Sequence, residues 1–391
     1  MIKKIVLDKA DRIYHFPFDV EEFFPRRAIS SGESKEPVID LGHFRWPNKE
    51  IIESSEKVST SAASPDDLSN LKASIADWLE NEYHIEVEPK KEIYVGAGIH
   101  RIIFDFCLAF IEYGDIVLCP EPGIPFYRRF VIAAGGVPVS YSISSKTDYK
   151  PSFSRLPENL GKSAKVLILN SPHNPTGTML DDHELADLVR TAAKQNLFII
   201  NDAAFCSIAE AKHPLLRNVP GGRKVGLEVF SFPFAFGLGY IPFGFAVGPP
   251  EVINGLEIAG KTIGAYIPKC WINPVIEAIK TYPSDGLKEI RKNIGLSRQK
   301  AELLIEKMNW KSVGGKSTPF VWAEIPERKG SSAYAAAILR RRRVLTLPGV
   351  AMGETGEGFL RLSLTATEKE YAEAMVRFSR KLQLRSKTGG E

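Results

Sequence analysis

The chain has 391 residues, 44% hydrophobic and 25% charged, with a formal net charge of +4. That charge is small for the length and argues against nucleic acid, while the length suits one large and one smaller globular domain. No apolar run approaches the roughly 18 residues of a membrane span, and no basic-then-apolar leader is visible, so a cytoplasmic protein is expected. Cys107, Cys119, Cys206 and Cys270 lie far apart without C-x-x-C spacing. They are expected to be reduced and mostly buried, with no metal.

Residues 1–37 mix charges with Phe16, Phe18, Phe23 and Phe24, and read as an N-terminal arm that packs on another surface, a partner subunit being one candidate. Residues 54–64 are serine-rich and read as a loop. From Pro65 to Tyr83, apolar Leu68, Leu71, Ile75, Trp78 and Leu79 recur at three and four, which predicts a helix. Glu92–Val95 reads as a strand, and Gly96-Ala97-Gly98 turns into a helix running to about Tyr113. Glycine spacing alone leaves this open as a plain strand-to-helix turn. Val166–Asn170 and Leu197–Asp202 are continuous apolar runs ended by polar residues, the pattern of strands buried on both faces. An amphipathic helix is expected from about Ser284 to Met308, and a strand from Lys316 to Ile325. Ser332–Arg342 reads as a helix ending in Arg340-Arg341-Arg342-Arg343, cations that suit its C-terminal dipole. A strand over Val344–Pro348 and a helix over Glu368–Leu382 complete the chain. Alternating strands and helices predict an α/β protein with a mostly parallel sheet covered on both faces.

Five segments, in order, resemble those of the class I/II aminotransferases, the fold-type I enzymes that use pyridoxal 5'-phosphate (PLP). Ser171-Pro172-His173-Asn174-Pro175-Thr176-Gly177 resembles the family loop "NPHNPTG", and Gly114–Pro120 resembles "GDxVLxPxPxY". Val38–Gly42 with Pro47 resembles "DLGxGxP", and Gly349–Leu364 resembles "PGxxFGxxGxGxxRxSL". Glu228–Gly248 resembles the lysine segment, S-x-S-K followed by G-x-R-x-G. The resemblance spans roughly residues 38–382. It implies a large domain with a mostly parallel, seven-stranded-type sheet sandwiched by helices, plus a small α+β domain. Residues 1–50 would form the arm joining the small domain, 51–280 the large domain and 281–391 the small one.

The resemblance also implies roles. Asn174 would donate to the cofactor's ring hydroxyl, and Asp202 would pair with the pyridine nitrogen, keeping it protonated. Phe205 stands where a tyrosine usually holds the ring hydroxyl. Gly98 and Ile99 would open the helix whose N–H groups hold the phosphate, without the usual small hydroxyl. Ile124 stands at the ring-stacking position; the register disfavours Phe126 and Tyr127. Ser231 opens the lysine segment. Gly42 and Asn174 would lie near the substrate, and Arg361 would grip its α-carboxylate bidentately. From the residues alone, Asp202 could equally cap a strand end, and Arg361 could be a salt-bridged strand residue.

The lysine position is Phe234, and the phosphate-binding arginine position is Pro242. No tyrosine lies between Thr60 and Asp67 to reach a neighbouring subunit's phosphate. Lys224 and Lys261 lie too far along the chain to replace Phe234 without reorganisation. A phenyl ring cannot form an imine and a proline cannot bind a dianion. These positions lead us to expect a non-transaminating member that binds an amino acid, 2-oxo acid or other carboxylate at Arg361, without a covalent aldimine and with PLP only as a weak non-covalent ligand. The alternatives are a genuine PLP-dependent aminotransferase with a rearranged site, or a structural or regulatory partner of an active paralogue. A homodimer is expected, with neither nucleic acid nor membrane as partner.

Overall fold

Apolar runs in the chain become the strands of the central sheet. In a computed structural model, which describes residues 10–17, 36–45, 61–151, 163–209, 213–239, 241–264, 266–326 and 330–380, these strands are β2 (Ile93–Gly96), β3 (Ile116–Glu121), β4 (Val137–Ser142), β5 (Ala164–Asn170), β6 (Phe198–Asp202), β7 (Gly226–Ser231) and β8 (Gly244–Val247). Phe18, Phe23 and Phe24 of the expected arm, Trp46-Pro47 and the serines of 54–60 lie outside the described residues. The spatial order is β2-β8-β7-β6-β5-β3-β4. Only β8 runs antiparallel to its neighbours. This is the fold-type I architecture.

Alternation along each strand sorts side chains between two helical layers. Tyr94, Val117, Ile168, Ile200, Val229 and Ala246 face helices α2 (Ile99–Phe110), α3 (Pro125–Ala133) and α6 (Pro250–Thr262). Val95, Phe230 and Phe245 face the opposite way, toward α1 (Pro65–Tyr83) and α7 (Ile272–Lys280). On that same face, Leu167, Leu169 and Ile199 pack on α4 (Asp182–Gln195). Capping boxes fix the helix starts at Ser64/Asp67 and Asp181/Glu184. Each satisfies two otherwise orphaned N–H groups.

The remaining strands form a second unit. Strands β9 (Lys311–Val313), β10 (Phe320–Glu324), β12 (Leu347–Pro348) and β13 (Phe359–Ser363) make an antiparallel sheet ordered β12-β13-β10-β9. It packs on α8 (Asp285–Lys307) and α10 (Glu368–Ser379), with α9 (Ser331–Arg342) contributing Ala335 and Ile338. Strand β1 (Ile39–Asp40) pairs in parallel with β11 (Val344–Leu345).

Three boundaries differ from the sequence reading. Helix α2 stops at Phe110, because Ile111 is already extended and the Glu112 N–H donates to the Asp115 carboxylate. Strand β10 begins at Phe320 rather than Lys316. The N–H groups of Gly315 and Ser317 are used by the carbonyls of Thr176 and Gly177, so that segment straps the 171–177 loop instead of entering the sheet. Val344–Pro348 divides into two short strands belonging to different sheets.

Trp78 anchors α1 to the large sheet. It is 2% exposed, and its ring meets Tyr83, Phe230, Phe236, Phe245 and Tyr282 edge-on, at centroid distances of 5.1–6.0 Å. Trp78→Ala should destabilise the protein by about 3–5 kcal/mol, because the cavity cannot be refilled. The shift of the urea midpoint, at constant slope, measures it.

Candidate active site

The C-terminal ends of three adjacent parallel strands put their last side chains in a row. Asn170 of β5 is opposite Asp202 of β6, Asp202 is opposite Val229 of β7, and Ser231 of β7 is opposite Gly244. In open α/β sheets this edge is where ligands bind. The 171–177 loop leaves β5 there, and the Asn170 side chain fastens it. Its Nδ2 donates to the Pro172 carbonyl at 3.0 Å and to the Asp202 carbonyl at 2.9 Å, while its Oδ1 accepts from the Asn174 N–H at 2.8 Å. The Asn174 backbone is thereby fixed to the end of β5.

Arg361 reaches the same place from β13. It is 7% exposed, and its Nη1 donates to Asn174 Oδ1 and its Nη2 to the Gly42 carbonyl, both at 3.2 Å. The guanidinium carbon lies 4.1 Å from the Phe320 ring centroid. Nε is buried without a hydrogen-bond partner. Burial pushes the Arg361 pKa down to about 9, and no anion among the described residues offsets it. The structure therefore brings Gly42, Asn174 and Arg361 together as one cluster, and among the described residues Arg361 forms no salt bridge there.

Asp202 is 2% exposed. Tyr127 donates to its Oδ2 at 2.5 Å, and the Ala204 N–H to its Oδ1 at 3.0 Å. Burial raises its pKa to about 6, and the Tyr127 hydrogen bond works against that shift. Sequence reasoning missed Tyr127, having weighed it only as a ring-stacking residue and set it aside. Its position three residues after Ile124, near the start of α3, is the signal: it turns the hydroxyl beneath the sheet edge, while Ile124 packs into two apolar clusters.

The other residues form an aromatic wall. Phe234 sits in α5 (Phe232–Phe236), whose start follows Ser231 directly. Its ring centroid is 4.8 Å from Phe44 and 4.7 Å from Phe205, and both of those rings also contact Phe320, at 6.2 and 5.8 Å. Ile99 packs against the same cluster. Gly98 is held at φ +93°, and a β-carbon there would stand 3.0 Å from the Pro242 carbonyl oxygen. Pro242 thus lies directly against the start of α2. Ser231 is 8% exposed and makes no side-chain cap for α5.

Known proteins share both this fold and this sequence pattern. The model of the family "Aminotransferase class I and II" matches residues 48–378. The chain belongs to that family. It is 30% identical to an LL-diaminopimelate aminotransferase of Halothermothrix orenii over 95% of this chain and 98% of that protein. It is 28% identical to a Moorella thermoacetica protein of the same name, over 80% of each. The substrate-bound BacF structure from Bacillus subtilis superposes with a TM-score of 0.87 at 22% identity, over 95% of this chain and 98% of that one.

These relatives correct two expectations. The reading of a non-transaminating carboxylate binder is overturned by full-length similarity to proteins named as aminotransferases. The expectation that PLP binds only weakly and never covalently falls with it. Both rest on a few positions, Phe234, Pro242, Ile99 and the missing tyrosine between Thr60 and Asp67, whereas the similarity is spread along the whole chain.

For PLP itself, the acid, amide and guanidinium groups present suit a pyridine nitrogen, a ring hydroxyl and a carboxylate. Phe234 and Pro242 supply neither an amine nor a cation, so no chemical step is assigned to those two side chains.

The raised Asp202 pKa gives a test with a defined sign. A carboxylate bound to a proton more tightly when folded contributes stability at low pH, and that contribution is lost as pH rises from about 4 through about 6. Tyr127→Phe removes the donor that favours the ionised form. It should therefore cost about 1–3 kcal/mol at pH 8 and markedly less at pH 5. Denaturant midpoints of both proteins across that range would expose a pH-independent cost if the pairing is not as described.

Proposed function

We propose that the protein is a PLP-dependent aminotransferase with a rearranged site, acting on α-amino acids and 2-oxo acids held through their carboxylate at Arg361. The observation that carries this reading is the Arg361 cluster. A guanidinium buried on Phe320, with an unpartnered Nε and two neutral oxygens as acceptors, is short of one anion. A carboxylate would supply it and would meet two donors on one planar face. The names of the relatives support amino transfer as the reaction and make LL-diaminopimelate the first donor to try.

In this reading, Asn174 and Gly42 orient the Arg361 guanidinium, and Phe320 excludes water from one face of it. Tyr127 and the Ala204 N–H hold the Asp202 carboxylate in place, where it would stabilise a protonated pyridine nitrogen. When bound, the cofactor supplies the electron sink. Phe234 carries no amine, so a covalent attachment of the cofactor would have to use a lysine elsewhere in the chain. The three-part division at residues 50 and 280 is adopted with this reading, the four-stranded sheet marking the small domain.

The decisive experiment incubates the protein with PLP, 2-oxoglutarate and a panel of amino donors that includes LL-diaminopimelate. Transfer above the PLP-only blank is expected, and borohydride reduction followed by mass spectrometry would locate the participating lysine. No transfer from any donor, with no trapped lysine, would overturn the proposal. Arg361→Lys should lower kcat/KM by roughly 30-fold or more, as truncating one partner of a buried charge pair costs about 2–5 kcal/mol.

We also propose a homodimer. Leu108 (42% exposed), Tyr113 (96%) and Ile258 (59%) present apolar surface on and beside the packed helices α2 and α6. Light scattering should give twice the 43.4 kDa chain mass at micromolar concentration; a monomer would contradict it.

A further inference from the structure

The first residue of the 171–177 loop is held from the face of the sheet opposite to the Asp202 carboxylate. Side chains alternate along β6, so Asn201 points the same way as Ile199, into the layer that Leu169 and α4 share, while Ile200 and Asp202 take the other face. Asn201 Oδ1 accepts from the Ser171 N–H at 3.2 Å, and Asn201 Nδ2 donates to Glu228 Oε1 at 2.9 Å. Glu228 stands directly opposite Asn201 in the register of β6 and β7. Its Oε1 also accepts from the Leu216 N–H at 3.0 Å.

A carboxylate is a costly group to keep in such a place. Glu228 is 1% exposed, and its Oε2 has no hydrogen-bond partner among the described residues. The neighbouring Arg217 is paired with Glu92. Burial pushes the Glu228 pKa up to about 7, against the Asn201 and Leu216 hydrogen bonds. What the carboxylate contributes is direction. An amide side chain has a donor end and an acceptor end of nearly the same shape, and only its partners decide which end faces where. With the ends of Asn201 exchanged, an NH2 group would face the Ser171 N–H and a carbonyl oxygen would face Glu228, so both bonds would be lost.

We infer that Glu228 is a positioning residue: through Asn201 it fixes Ser171, and with it the loop that carries Asn174 to Arg361. The loop is then held from both faces of the sheet, by Asn170 on one and by the Glu228–Asn201 pair on the other. Glu228 touches no ligand. Its effect on ligand binding rests on the reading of Arg361 as a carboxylate anchor; its effect on the loop does not.

Hydrogen exchange of the full chain, read by mass spectrometry, tests this in Glu228→Met and Glu228→Gln. Methionine matches the length and offers no oxygen acceptor. Glutamine keeps an oxygen toward Asn201 and puts its NH2 where Oε2 has no bond to lose. In Glu228→Met, the peptide spanning Ser171–Gly177 should exchange about tenfold faster, while one spanning Ile116–Glu121 stays at the wild-type rate. Glu228→Gln should match the wild type in both. If Glu228→Met does not fold, Asn201→Ala breaks the same path one link later and should give the same local signature. Isothermal titration with 2-oxoglutarate should show about tenfold weaker binding in Glu228→Met and no loss in Glu228→Gln. The inference is overturned by unchanged exchange at Ser171–Gly177, by equal acceleration of both peptides, by Glu228→Gln behaving as Glu228→Met, or by full affinity in a protein whose loop exchanges faster. If 2-oxoglutarate does not bind the wild type, the carboxylate reading of Arg361 fails instead, and the exchange rates still decide the role of Glu228.

Discussion

A cation taken out of water must be paired or it costs several kcal/mol, and Arg361 is held out of water with only neutral oxygens as acceptors. Much of the site's architecture follows from supporting that one group. The Phe320 ring covers one face of it. Asn174 reaches it only because Asn170 pins the 171–177 loop at two points and ties it to Asp202 at a third. Gly42 reaches it only because β1 pairs with β11 and the Leu41 carbonyl accepts from the Ser363 N–H at 2.7 Å. A fixed guanidinium with unspent hydrogen-bonding capacity discriminates in favour of planar anions, since a rounder or uncharged group leaves the desolvation cost unmet.

The large sheet supplies the second half of the site by register. Asn170 and Asp202 are paired residues at the ends of neighbouring strands, so a shift of one residue would turn both side chains to the other face. Phe198–Asp202 is buried through most of its length, which fixes that register by the cost of exposing Ile199 and Ile200. The two buried oxygens of Asp202 each have a donor, so the carboxylate is preorganised rather than free to rotate.

Much of this was legible in the sequence, and the reasons differ by element. The strands of the central sheet announce themselves as apolar runs because both faces are covered. The 171–177 loop is recognisable because its prolines, asparagine and glycine each answer a local demand of the backbone. Gly42, Asn174 and Arg361 lie far apart in the chain, and their meeting was legible only through family resemblance. The partner of Asp202 was not legible, because Tyr127 is joined to it through space and not through any local pattern. Function is where a few positions mislead. Phe234 and Pro242 describe a local chemical loss, but an activity can survive by rearrangement, and similarity along the full length outweighs a conclusion drawn from a few positions.

The contacts of Arg361 also carry an order in time. Its bonds to Asn174 and Gly42 span 187 and 319 residues of chain. During synthesis from the N-terminus, Gly42 and Asn174 leave the ribosome long before strand β13 exists. The central sheet, complete by Val247, can collapse first, and the Arg361 cluster can close only once nearly the whole chain has emerged. A chain stalled before Arg361 would thus have its scaffold without the cluster that we propose holds a carboxylate, so premature fragments would be silent rather than promiscuous.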